Sequence, residues 1–192
     1  MSSLIFGLVL FLGVHSVRIL SDGWRARTIA AVGEPAWKGA YSLLAIAGLV
    51  LLIRGYAAAR LAPVVLWSPP LWTRHAAALL TVPAFLLLAA AYVPGTRIKR
   101  AVGHPMVLGV AIWAAAHLLA NGTLADALLF GAFFLWAGAD YTAARRRDRT
   151  APNTLPAGTG ARDLVAAGVG LGLWLAFTLW LHRALIGVAP FG

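Results

Sequence analysis

Stretches of about twenty apolar residues recur along this 192-residue chain, and each is long enough to cross the hydrocarbon core of a bilayer. Apolar side chains make up 61% of the sequence and charged ones only 11%, where a soluble domain is nearer half and a quarter. Too little charge is left to solubilise the apolar surface. Six segments qualify, at about 3–20, 39–59, 73–93, 104–120, 123–143 and 163–186. The expected fold is therefore an all-α polytopic membrane bundle of six transmembrane helices, one domain over residues 1–192 with no sizeable extramembrane part.

The connections carry the usual breakers. A polar stretch from Ser21 to Lys38 follows the first segment, which has no basic residue before it and is expected to be a retained helix and not a cleaved signal. Leu61 to Trp72 holds three prolines and is too broken to span; Trp67 and Trp72 suit the headgroup level. Pro83 predicts a kink in the third segment, and Pro94-Gly95 ends it. Asn121-Gly122 predicts a tight turn between the fourth and fifth segments. Ala144 to Arg162 reads as a long hydrophilic loop, basic at its start and expected to be mobile.

The net charge is +10, but the basic residues lie between apolar spans, with no basic face or motif for nucleic acid. They orient the chain and meet anionic lipid headgroups instead. Twelve Lys and Arg fall in the first, third and fifth connections against four on the opposite side, which predicts both termini on the non-cytoplasmic side. The expected location is a bacterial inner membrane, and the surrounding lipid is the first partner. Cysteine is absent, so disulfides, thiolate metal sites and cysteine nucleophiles are excluded. Gly168 and Gly172 have small-xxx-small spacing, which predicts a close helix contact within the chain or between copies in an oligomer.

Ionisable groups inside the membrane need an edge position, a partner or a function. Arg54, Arg60, Arg74 and Arg183 can snorkel from helix ends, and Asp140 reads as an interfacial anion near Arg145 and Arg146. Five histidines remain: His15 and His117 within spans, His75, His104 and His182 nearer the interfaces. A single intramembrane imidazole is most often a helix-to-helix hydrogen bond; several converging in one bundle point to metal or haem. His104 and His117, 13 residues apart, face different ways and cannot serve one iron. Trp113, His117 and Asn121 share one helix face, as do Leu8, Phe11, His15 and Arg18. Arg18 could reach an anionic group such as a haem propionate, or simply snorkel.

Several stretches together resemble the NnrU family over nearly the whole chain. They are Val14-His15-Ser16 with Arg18, Pro69-Pro70-Leu71-Trp72 with Arg74-His75, and Gly103-His104-Pro105-Met106 through Trp113. His117 to Gly122, Leu129-Phe130-Gly131 and His182-Arg183 through Pro190 complete the set. That resemblance implies a role in bacterial nitrite and nitric oxide metabolism. Through the first and fourth segments the chain also resembles the plant 15-cis-zeta-carotene isomerase, which holds haem b in the membrane. Its haem-ligand histidines fall on His15 and His117. Its redox-exchanging cysteine falls on Ala114, which has no ligand atom, and an arginine of the plant pattern falls on Gly103.

The expected depths complicate that pair. His15 lies about 20 Å below the outer boundary and His117 about 6 Å, by helical rise. His75 matches His117 better in depth and is a rival partner; His117 is common to both pairings. The implied site is thus His117 with His15 or His75 as metal ligands and Arg18, Trp113 and Asn121 around the cofactor, haem b. Three functions follow: a haem b protein of nitrite and nitric oxide metabolism, a haem-dependent cis-trans isomerase of a carotenoid-like lipid, or a non-enzymatic assembly subunit for a membrane reductase. Nitric oxide and a membrane redox partner are the corresponding partners. No phosphate-cradling glycine loop, HExxH or GxSxG motif is present.

Overall fold

The structure is a computed structural model that describes residues 1–150 and 157–191. Among these, the helices in chain order are α1 (Ser2–Leu20), α2 (Asp22–Val32), α3 (Glu34–Leu61), α4 (Trp72–Tyr92), α5 (Arg97–Val102), α6 (Pro105–Ala120), α7 (Leu124–Thr150) and α8 (Gly160–Ile186). Helix α8 contains one π turn, Phe177–Leu181. Helices α1, α3, α4, α7 and α8 are long and apolar enough to cross a membrane, and the apolar α6, at 16 residues, reaches about 24 Å. This is an all-α membrane bundle. Only 11–33% of each long span is buried against the rest of the chain, so most of its leucine, valine and isoleucine surface is left for lipid.

Local chemistry sets the helix starts. Prolines occupy the first turns of α3 and α6, where a missing N–H costs nothing. The Thr96 hydroxyl caps α5 by accepting from Lys99 N, and the Asp163 carboxylate accepts from Arg97 N at 2.7 Å, which binds the head of α8 to α5. The spans are neighbours in the order α3, α1, α7, α6, α4, α8. Helices α1 and α3 touch through backbone. A Cβ on Gly48 would stand 2.7 Å from Phe11 N, and one on Gly7 or Gly55 would overlap the backbone of Leu52 or Leu4. Gly48 and Gly55 are two turns apart on one face of α3, so the two helices interlock over about two turns.

Several connections differ from expectation. The polar stretch after α1 is largely helical, as α2, and α3 starts at Glu34, whose carboxylate pairs with Lys38 at 2.8 Å one turn on. Helix α7 continues to Thr150, through the arginines expected in a mobile loop. Asp148 holds that tail by accepting from His104 Nε2 at 3.0 Å and facing Arg145 at 3.6 Å. Residues 151–156, the middle of that expected loop, lie outside the described residues. Asp140 faces Arg147 at 3.9 Å, not Arg145 or Arg146. Pro83 lies inside α4, and just before it the Trp174 indole donates to Ala78 O and Thr81 Oγ1. Gly168 and Gly172 face open space. The close contact on α8 belongs to Gly170, whose Cβ would meet Leu86 Cα at 2.9 Å.

Residues 62–71 do not span. Leu66 N and Trp67 N donate to Gly122 O at 2.8 and 3.1 Å, and Leu124 N donates to Val64 O at 2.8 Å. The segment is a strap across the α6–α7 turn. Gly122 is required there, because a Cβ would overlap the Trp67 carbonyl.

The backbone contact between α1 and α3 gives a direct expectation. Gly48→Leu should lower the thermal midpoint in detergent strongly, by the order of 3 kcal/mol expected for overpacking a tight interface, while Gly168→Leu should leave it within error. Equal midpoints for both variants would contradict the packing described.

Candidate functional site

The polar side chains of the bundle gather in two layers, one toward each membrane face. The layer at the amino-terminal end is built by the end of α3, the end of α6, the start of α7 and the strap. Asp126, 6% exposed, is its buried carboxylate. It receives the Tyr56 hydroxyl at 2.5 Å on Oδ1, and Thr123 N and Oγ1 at 3.0 and 2.6 Å on Oδ2. The Thr123 hydroxyl accepts from Asp126 N at 3.2 Å in return, a reciprocal cap on the first turn of α7. Every carboxylate oxygen has a donor, which is what keeps such a group tolerable away from water. Arg60 lies 6.0 Å from the Tyr56 ring and donates to Ile186 O, bringing the end of α8 to this layer.

His117 belongs to the same layer. Its Nδ1 faces Trp113 O at 2.8 Å, so Nδ1 carries the proton and Nε2 keeps a lone pair free for a ligand. Its ring lies 4.6 Å from Phe130 and 5.0 Å from Trp113, and Phe130 packs on Tyr56 at 6.3 Å. Asn121 is committed elsewhere: its amide donates to His117 O at 2.9 Å and closes the end of α6.

The second layer lies toward the basic end. His15 Nδ1 faces Phe11 O at 2.6 Å, again leaving Nε2 free. Around it stand Phe11 at 4.3 Å, Tyr41 at 5.4 Å and Trp136 at 6.0 Å between ring centroids. The Trp136 indole N–H is buried without a partner among the described residues. Arg18, one turn on, is exposed and faces Asp22 at 3.8 Å.

The expected ligands are therefore not brought together. His15 and His117 are joined by a chain of ring contacts, Phe11 to Phe133 at 5.9 Å and Phe133 to Trp113 at 5.7 Å. His15 lies four residues below Phe11, and Phe130, against His117, lies three above Phe133, a depth difference of about 10 Å. His75 is exposed at the start of α4 and stacks on Phe191 at 6.0 Å, with no contact to His117 among the described residues. No group of three or more His, Cys, Asp or Glu able to hold a metal occurs among them. For haem b, His117 would offer one imidazole, and Trp113 and Phe130 would be apolar walls beside it.

Sequence reasoning missed Asp126 and Tyr56. The Thr123-x-x-Asp126 spacing is a capping signature and was the available signal; Tyr56 has none. Removing the Tyr56 hydroxyl should cost about 0.5–2 kcal/mol. Tyr56→Phe should accordingly lower the detergent melting midpoint, with Tyr92→Phe, which makes no hydrogen bond among the described residues, as the control. A midpoint unchanged in Tyr56→Phe counts against the network.

No curated protein matches this chain, and no solved structure does. A family model described as NnrU protein matches residues 3–190, covering both polar layers and all six apolar helices. The chain belongs to the NnrU family.

Proposed function

We propose that this protein is an integral membrane haem b protein of nitrite and nitric oxide metabolism, in a redox or accessory role, with His117 as the ligand of iron. Family membership supports the metabolic setting. The observation that carries the cofactor reading is the state of His117: an imidazole inside the bundle, its Nδ1 proton fixed on Trp113 O, its Nε2 lone pair free among aromatic rings. Metal-ligating histidines commonly use that second hydrogen bond to set tautomer and ring orientation. When bound, haem supplies a redox iron able to take a small apolar gas from the lipid phase. The chain's part is to orient the imidazole, to exclude water with Trp113 and Phe130, and to keep a satisfied carboxylate, Asp126, nearby. The ligand exchange of the plant isomerase has no counterpart in this reading, because Ala114 is fully buried and offers no ligand atom.

The test is a reduced-minus-oxidised spectrum of the protein purified in detergent after expression with ample haem. Wild type is expected to show b-type bands and His117→Ala to lose them, while His75→Ala keeps them. Absence of bands in the wild type removes the haem reading and leaves the assembly role. Full haem in His117→Ala moves the site elsewhere.

The proposed setting is a bacterial inner membrane with the basic end in the cytoplasm. Because the chain has no cysteine, single substitutions can report this directly. Val64→Cys, in the strap, should react with an impermeant thiol reagent added to intact spheroplasts, and Ala26→Cys, on α2, only after permeabilisation. The reverse pattern would invert the topology.

A further inference from the structure

We propose that the cleft between the end of α1 and the tail of α7 is a binding site for the phosphate headgroup of an anionic glycerophospholipid. The cleft has a volume of about 450 Å³ and is lined by Arg18 and Ile19 of α1, by Asp22 at the start of α2 and by Thr142, Arg146 and Arg147 of α7, over an alanine floor. Three guanidiniums face one carboxylate on its walls. Arg147 is held in place, by Asp140 at 3.9 Å and by its donation to Arg18 O at 3.4 Å, which ties the two helices together. Arg18 spends little on Asp22, at 3.8 Å, and Arg146 makes no ion pair or hydrogen bond among the described residues. Each guanidinium has five N–H donors in a planar fork that matches phosphate oxygens, so most of that donor capacity is free.

Position selects a lipid over a free anion. The cleft opens where α1 ends and α7 leaves its apolar stretch, at headgroup level, and basic pockets between transmembrane helices on this side suit phospholipid heads. Directly above it on α7, Leu135 and Gly138 share a face with Thr142. Leu135 is 73% exposed, and nothing lies within 4 Å of where a Gly138 Cβ would be. An acyl chain can lie along that face while its phosphate sits among the arginines. The site does not rest on haem, and its failure leaves the His117 reading untouched.

Native mass spectrometry of the detergent-solubilised protein tests it, with phosphatidylglycerol and phosphatidylcholine as probes. Retained phosphatidylglycerol is expected to exceed phosphatidylcholine, and Arg146→Gln to reduce its retention about fivefold. Arg27→Gln removes the same charge from an exposed site on α2 at the same end, and is expected to leave retention unchanged. Arg146 touches no partner among the described residues, so its loss tests binding and not folding. An equal loss in both variants, or no preference between the lipids, overturns the site. Displacement of phosphatidylglycerol by millimolar inorganic phosphate would reassign the cleft to free anions and overturn the lipid.

Discussion

Backbone contact between α1 and α3 governs what the rest of the bundle can be. Lipid tails are as apolar as leucine, so transmembrane helices gain little from burying such residues against each other, and close packing has to supply the cohesion. Gly7, Gly48 and Gly55 allow it by letting each backbone reach the other, and Leu4, fully buried, fills the space between. That interlock fixes the register of α1 against α3, and α7 packs on the same α1. His15 consequently meets Tyr41 and Trp136, and Tyr56 meets Asp126.

The two imidazoles inside the spans stand at different depths, His15 on α1 beside Tyr41 and Trp136 and His117 on α6 beside Trp113 and Phe130, so each belongs to its own polar layer. Between them lie Phe11, Phe133 and Trp113, a stack of rings with no ligand atom aimed at a shared centre. At the amino-terminal end a buried carboxylate, a tyrosine and an imidazole stand within a few side chains of one another, beneath a strap that Gly122 fastens. At the basic end the arginines of α1 and α7 close around a headgroup-sized cleft. The two proposals place a cofactor at one layer and a lipid headgroup at the other.

Much of this was legible in the sequence. Six apolar segments, the non-spanning Pro-rich stretch and the Asn121-Gly122 turn could be read because each follows from hydropathy and breakers alone. The helical tail of α7 could not. It depends on Asp148 meeting His104 from 44 positions away, a pairing that no local pattern encodes. The glycine contact within the chain was hidden for a similar reason: Gly168 and Gly172 have the favoured spacing, yet the helix face turned to α4 is that of Gly170. For the site, periodicity correctly grouped Trp113, His117 and Asn121 on one face. It gave no sign that Asn121 would spend its amide on the backbone, or that Tyr56 would seek out Asp126 across 70 residues.

In the proposed reading, haem iron is held by one imidazole, that of His117. Electron paramagnetic resonance of the oxidised, haem-loaded protein reads ligand number at the metal. That reading predicts a high-spin ferric signal from a single histidine ligand, unchanged in His15→Ala. A low-spin signal typical of two imidazoles, lost when His15 is replaced, would contradict it and bring the two layers together around one haem.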